Sequence, residues 1–308
     1  MAEPGGEPDA APPDIRGALD LPPEDAQRAF RARDEFRFSV SWRDLRPEEH
    51  ARAFTAAKIA RLDLLADLKE SLDQALTQGQ TFEQWRDGIA PTLQQKGWWG
   101  MVTDRSITGT DRPVFVGERR LRTIFETNMR VSRAAGRWAR IQAAKGERPW
   151  LRYVAVMDRR TRPLHRRWHG LIRPVDDPIW NTLYPPNGWN CRCQVQQLSD
   201  DDLRRRGLSP TPDSGLPPLD PVGRVPFGIP RRDRLTTPGI DPGWNYNPGA
   251  ASLAGLLDKA AASVARAEAA GLSDAAGVTR NLIRALLAGL VADELLDALL
   301  PPAEGESA

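Results

Sequence analysis

Residues 118–145 read ERRLRTIFETNMRVSRAAGRWARIQAAK. Leu121, Phe125, Val131, Ala135, Trp138 and Ile141 recur on or near one stripe of a 3.6-residue repeat, and Gly146 follows as a stop. The spacing predicts one long amphipathic helix, which sets the fold class as mainly α. The chain beyond it changes character. Residues 151–157, LRYVAVM, read as a short strand, and Asp158-Arg159-Arg160-Thr161 has turn composition. A short helix then runs through His165 and His169 to Gly170. Residues 180–193 form a loop around Pro185-Pro186-Asn187-Gly188, and residues 191–198 read as another short strand. Residues 113–200 are therefore expected to fold as a small α+β motif domain attached to long helices.

Working outward, residues 46–78 show a helical pattern through Phe54, Leu62, Leu65, Leu68, Leu72 and Leu76, closed by Gly79. Thr81-Phe-Glu-Gln84 fits a capping box for a next helix that Pro91 should shorten or kink. Residues 101–113 read as a polar loop. The division expected is a flexible acidic arm at 1–40, richest in Pro, Gly and acid over its first 25 residues, then a helical region at 41–112 and the motif domain at 113–200. An extended Pro/Gly-rich linker follows at 201–250, wrapping over another surface or joining parts. An Ala/Leu-rich helical tail closes the chain at 251–308, with Ile283, Leu286, Leu287, Leu290, Leu295 and Leu299 marking an amphipathic helix pair. The overall expectation is long helices, short strands and extended Pro/Gly-rich segments.

Composition excludes several classes. The 308 residues carry 43 Lys and Arg against 41 Asp and Glu, a net charge of +2, so no global field selects the partner. Cys191 and Cys193 are the two cysteines, too few and too close for a disulfide framework, which suits a reducing compartment. No run of 18 apolar residues occurs, so no membrane span is expected, and the acidic N-terminus MAEPGGEPDAAPPD lacks the apolar segment of a signal peptide.

The candidate chemistry lies in the motif region. His165 and His169 at i and i+4 would share one helix face, and Cys191 and Cys193 follow 22 and 24 residues after His169. Two imidazoles and two thiolates would satisfy the tetrahedral preference of a structural zinc ion, with Asp158 accepting from an imidazole N–H behind them. The plain alternative is a polar core. Free cysteine packs as a small apolar residue, and His165, His169 and Asp158 would hydrogen-bond to backbone. A third reading makes Asp158, His165 and His169 the acid–base set of a hydrolase or nuclease. Gly-x-Ser-x-Gly, Walker A, HExxH and Rossmann glycine patterns are all missing, so no catalytic or cofactor-binding residue is assigned.

Charge is uneven. Residues 118–173 hold 16 Lys and Arg against 4 Asp and Glu, a balance of +12, whereas residues 251–308 hold 4 against 8, a balance of −4. The basic block could touch a DNA backbone without reading sequence, but no helix-turn-helix, zinc-finger or RRM pattern accompanies it. Docking on an acidic protein surface suits it better, because arginine pairs with carboxylates in a planar fork. Five of the ten tryptophans, Trp138, Trp150, Trp168, Trp180 and Trp189, fall near one another and are expected in the core or at corners of the motif domain.

Several ordered segments together resemble the phage Mu F-like head morphogenesis family of minor capsid proteins. They are Arg122-Thr-Ile-Phe-Glu-Thr-Asn128, Ala135-Gly-Arg-Trp138, Asp158-Arg-Arg-Thr-Arg-Pro-Leu-His165, Trp168-His-Gly170 and Tyr184-Pro-Pro-Asn-Gly-Trp-Asn-Cys191-Arg-Cys193. Gln78-Gly-Gln-Thr-Phe-Glu-Gln-Trp85, Gly97-Trp98-Trp99 and Pro242-Gly-Trp-Asn-Tyr-Asn-Pro-Gly249 extend the likeness over residues 40–250. The resemblance implies a non-enzymatic role in head morphogenesis, bridging portal protein and capsid subunits, in the virion and in the host cytoplasm during assembly. It also implies metal at the histidines and paired cysteines. Some members carry fused toxin domains; residues 251–308 show no catalytic motif.

Overall fold

The computed structural model describes residues 24–219 and 237–272 apart from 42, 43 and 46, together with 276, 277, 280, 281, 283 and 284. Helix α1 (Glu24–Arg31), strand β1 (Glu35–Phe36), α2 (Pro47–Arg52) and β2 (Ala53–Phe54) come first, then α3 (Leu62–Gln78) and α4 (Phe82–Gln95). Strand β3 (Gly100–Val102), the single turn α5 (Arg105–Thr108) and β4 (Val114–Val116) lead into α6 (Glu118–Ala143). Then follow β5 (Trp150–Val154), α7 (Pro163–Trp168), β6 (Ile172–Pro174), α8 (Trp180–Leu183), β7 (Gln194–Leu198), α9 (Asp200–Arg205) and α10 (Pro248–Ala269). The sheets are small: β1 beside β2 in parallel, β3 beside β4 antiparallel, and β6-β5-β7 antiparallel throughout. The protein is mainly α with little β, as its helical periodicities dictate.

Helix α6 is the spine. Twenty-six residues at 1.5 Å each span about 39 Å, long enough to serve two cores. Its first half gives Leu121, Phe125 and Met129 to a core with the leucines of α3 and with Phe82, Trp85 and Leu93 of α4. Its second half gives Val131, Trp138 and Ile141 to a core built on β5, α7, α8 and β7. The packing divides between Met129 and Val131, inside the helix, whereas the expected domain border lies at residues 112–113. Small residues at 134–136 let α1 cross closely: a Cβ on Gly136 would stand 2.6 Å from the Ala26 nitrogen.

Several local expectations change. Residues 24–33 of the expected flexible arm are packed. Ala26 and Phe30, an i,i+4 pair, are buried, and the Arg33 guanidinium donates to Asn128 Oδ1 (3.0 Å) and Ser132 Oγ (2.7 Å) on α6. Residues 46–78 are not one helix. Phe54 belongs to β2, beside Phe36, and Lys58 takes φ +62°, so the helix restarts only at Leu62, which is exposed. The capping box forms: Thr81 Oγ1 accepts from Gln84 N, and Gln84 Oε1 accepts from Thr81 N. Helix α4 nevertheless runs through Pro91, because Ile89 and Leu93 on either side of it are buried in the first core. Residues 101–113 are not a plain loop, since Met101 and Val102 pair with Phe115 and Val114. In the expected linker, Thr211 bonds with the Ile172 backbone and residues 237–249 pack into the second core; the stretch 220–236 lies outside the described residues. Asn247 caps α10. Of the proposed tail helices, Ile283 packs near Leu257 and Val264, and Leu286, Leu287, Leu290, Leu295 and Leu299 lie outside the described residues.

Candidate metal centre

Proline at the first position starts α7, and its third residue, His165, points into the second core with 1% exposure. The chain leaves β5 by the Asp158 turn before entering this helix, so the imidazole is held beside the central strand. The cysteines arrive from the other direction. Gly188 O accepts from Cys191 N at 3.1 Å, and Asn190 takes φ +57°, a conformation asparagine tolerates. Cys191 and Cys193 then precede β7, whose Val195 pairs with Tyr153 of β5. Antiparallel pairing thus carries both thiols to the imidazole.

His165 Nδ1 lies 3.4 Å from Cys193 Sγ and 3.7 Å from Cys191 Sγ, and the three ligand atoms fall within 4.8 Å of one another. Zinc bonds of about 2.3 Å to sulfur and about 2.0 Å to nitrogen give a tetrahedral N···S edge of about 3.5 Å. The geometry and the soft donor set therefore fit one zinc-type ion through a nitrogen and two sulfurs. The other imidazole nitrogen, Nε2, is 2.8 Å from the Gly239 carbonyl oxygen. That acceptor fixes the Nε2–H tautomer and leaves the Nδ1 lone pair toward the thiols, the arrangement a metal-ligating histidine needs. Trp168 stacks on the same ring at 4.9 Å.

The thiols also shape each other. The hydrogen bond from Cys193, and then the one with His165, hold the Cys191 thiol below the usual range, while the Cys191 contact and burial push Cys193 up. Burial first, and the thiols second, raise Tyr153, whose hydroxyl donates to the fully buried Asn187 at 2.9 Å. One negative charge in the pair is favoured without a metal, and a cation would favour two.

The structure brings His165, Cys191 and Cys193 together and leaves His169 and Asp158 outside the cluster. His169 follows the last residue of α7 and already takes ψ 128°, so the one-face argument for an i,i+4 pair fails at its second member. Its Nδ1 accepts from the Ala155 N–H at 3.1 Å, which ties the end of β5 to the helix; burial lowers its pKa. Asp158 does not accept from an imidazole. It takes a two-pronged contact from Arg192 at 2.6 and 2.7 Å, which holds its carboxyl well below the usual range. Arg192 sits between the two cysteines, so the Cys-x-Cys alternation sends it the opposite way and pins the cysteine loop to the Asp158 turn. The hydrolase set Asp158, His165 and His169 is therefore not assembled at one point.

Sequence reasoning missed the third segment around the site, residues 237–244. Asp241 accepts from Arg162 (2.7 Å) and from Trp189 N (2.8 Å), and its own N–H donates to Asn187 O at 3.1 Å. Gly239 supplies the histidine's acceptor at φ +84°, and a Cβ there would stand 2.7 Å from Trp168. Trp244 is buried in the same core. Pro238, Gly239, Pro242 and Gly243 give this stretch the composition of a linker, and only the Pro242–Gly249 motif signals otherwise.

The basic block is neutralised in part. Arg122 pairs with Glu83 and Glu118, Arg130 with Glu126, Arg140 with Asp25, Lys145 with Asp176, Arg148 with Asp202 and Arg173 with Asp177. No helix among the described residues is long and apolar enough to cross a membrane.

Residues 66–196 match the family described as Phage Mu protein F like protein. The chain is 37% identical over 254 residues to a protein of Escherichia phage Mu named putative capsid assembly protein F, covering 78% of this chain and 57% of the relative. It is 36% identical over 223 residues to the Mu-like prophage FluMu F protein of Haemophilus influenzae, covering 69% of this chain and 53% of that one. The chain thus spans a little over half the length of these relatives. No solved structure matches it.

Proposed function

Because the chain belongs to the phage Mu protein F like family, we propose that it is a head-assembly protein of a phage or prophage, a minor component bridging portal and capsid subunits. Its place would be the virion, and the host cytoplasm during assembly. The likeness to a protein named for capsid assembly carries this reading. The local geometry is in keeping with it: the thiol centre ties the Asp158 turn, the cysteine loop and residues 237–249 into one buried knot, an architectural arrangement. We read the protein as non-enzymatic, since Asp158 and His169 are each engaged away from His165.

In this reading zinc would be structural, held by His165, Cys191 and Cys193, and would supply a cross-link between α7 and the loop before β7. Contact with DNA would fall to Arg159, Arg160 and Arg167, exposed arginines of the block 118–173 with no acid partner among the described residues. Deletion of the gene from an inducible phage, with gradient analysis of the particles, tests the assembly role. The expected result is loss of filled heads, and recovery of the chain with particles when the gene is restored. Normal yields of filled heads after deletion would overturn the reading.

A further inference from the structure

A cavity of about 570 Å3, which His165, Cys191 and Cys193 do not line, lies between residues 39–41 and 55–58, the start of α6 and the loop positions Trp189 and Pro242. The size is in the range of pockets that take a ligand or several side chains. Three cations line it, Lys58, Arg119 and Arg120, and among the described residues no carboxylate lines it; Asp44 sits at its edge, where its carboxylate accepts from Val40 N and Ser41 N. Arg120 is already engaged, lying over Trp98 and donating to the Ala57 carbonyl. The Lys58 ammonium and the Arg119 guanidinium have no acid partner among the described residues. Lys58 is held in place by its own backbone, whose N–H donates to Ser39 O at 2.6 Å.

The rim of the cavity is apolar and exposed. Phe115, at its edge, is 68% exposed and stands directly opposite Met101, 64% exposed, on the outer face of the β3–β4 ladder. Val40 lines the same cavity and is 41% exposed. A cross-strand pair of large apolar side chains facing solvent next to uncompensated positive charge marks a contact surface. A duplex backbone would use the charge and leave Met101 and Phe115 in water.

We propose that this cavity and its Met101/Phe115 rim dock an extended acidic peptide segment of another head subunit. Its carboxylates meet Lys58 and Arg119, and an aliphatic or aromatic side chain enters beside Phe115 and Ile124. This deepens the head-assembly reading by giving the partner's chemistry, and it rests on that reading for the partner being a head subunit.

Calorimetric titration of the full chain tests it. The probes are short peptides with one Leu or Phe flanked by Glu and Asp, and the same peptides with Lys in place of each acid. The acidic set should bind at least about tenfold more tightly. Lys58→Glu with Arg119→Glu should remove that preference, and Phe115→Ser should weaken the acidic set about as much. Arg204→Glu on α9 should change nothing. Equal affinity for both sets, no binding of the acidic set up to millimolar concentration, or displacement by oligothymidylate at equal affinity would overturn the proposal. Because binding is read on the isolated chain, its failure leaves the assembly phenotype as a separate question.

Discussion

The Nε2 of His165 and the carbonyl oxygen of Gly239 are 2.8 Å apart, although 74 residues separate them along the chain. This one contact sets the imidazole tautomer and so decides that Nδ1, not Nε2, faces the thiols. Gly239 comes from a segment rich in turn residues, and its carbonyl is available only because the backbone there takes φ +84° against the Trp168 ring.

Metal content is the first consequence. Protein purified without added metal should contain about one zinc per chain, and a chelator should lower its Tm. His165→Ala and Cys193→Ala should each lose the metal. His169→Ala should keep it, because that ring accepts from the Ala155 N–H and stays outside the cluster. Elemental analysis of the parent and the three variants decides the point; no metal in the parent, or retention in His165→Ala, would return the site to a plain polar core, and loss in His169→Ala as complete as in Cys193→Ala would put His169 among the ligands.

Gly239→Ala gives a second measurement. The added methyl meets Trp168 at 2.7 Å and Leu164 Cβ at 3.0 Å, and alanine resists the positive φ. The expected cost is about 1–3 kcal/mol of stability by denaturant unfolding. Metal affinity should weaken as well, since the residue that orients His165 is displaced. Unchanged stability and affinity would mean that Gly239 does not position the ring.

Much of this was legible in the residues. The α6 stripe from Leu121 to Ile141 and the Thr81–Gln84 capping box are local patterns that formed where their spacing said, and the strand expected over 151–157 formed one residue earlier and ended at Val154. The pairing of His165 with Cys191 and Cys193 was readable from residue type. What was not readable depends on contacts far apart in sequence. Phe54 lies in a helical pattern but pairs with Phe36, and Asp241 is one acid among Pro and Gly until Arg162 and Trp189 N are seen around it. His169 obeys the i,i+4 rule on paper, yet α7 ends one residue before it, and Gly170 at φ +88° turns the chain into β6.

Acid titration should single out Asp63. It sits in the first turn of α3, accepts from Arg61 Nε (2.9 Å) and Nη2 (2.5 Å), and lies 3.2 Å from Lys96 Nζ. The Arg61 contact first, and Lys96 second, pull its carboxyl down to about 2. A folded-state value below the unfolded one of about 3.9 means a stabilisation present above pH of about 4 and lost as pH falls toward about 2. The carboxylate is 44% exposed, so solvent screening limits the gain to roughly 0.2–1 kcal/mol. Asp63→Asn should therefore unfold slightly more easily near neutral pH, with the gap to the parent closing on acidification. A gap that persists unchanged at low pH would show that the amide alters packing rather than charge.

Gly136→Ala sets two effects against each other in the middle of α6. Helix propensity favours alanine by about 1 kcal/mol, and on that ground alone the variant should be more stable. The crossing of α1 argues the reverse. A Cβ at position 136 would lie 2.6 Å from the Ala26 nitrogen and 2.7 Å from the Asp25 carbonyl carbon, both backbone atoms that cannot swing aside. Relief requires α1 to lift, which would disturb the burial of Phe30 at the same helix pair and strain the ion pair of Arg140 with Asp25. Overpacking of this kind costs about 1–3 kcal/mol, more than the propensity gain. Thermal unfolding should show a lower Tm, and hydrogen exchange should show faster opening over residues 24–31 while α3 and α4 stay protected. A rise in Tm with unchanged protection of α1 would mean that the close crossing at Gly136 is not what holds this segment against the spine.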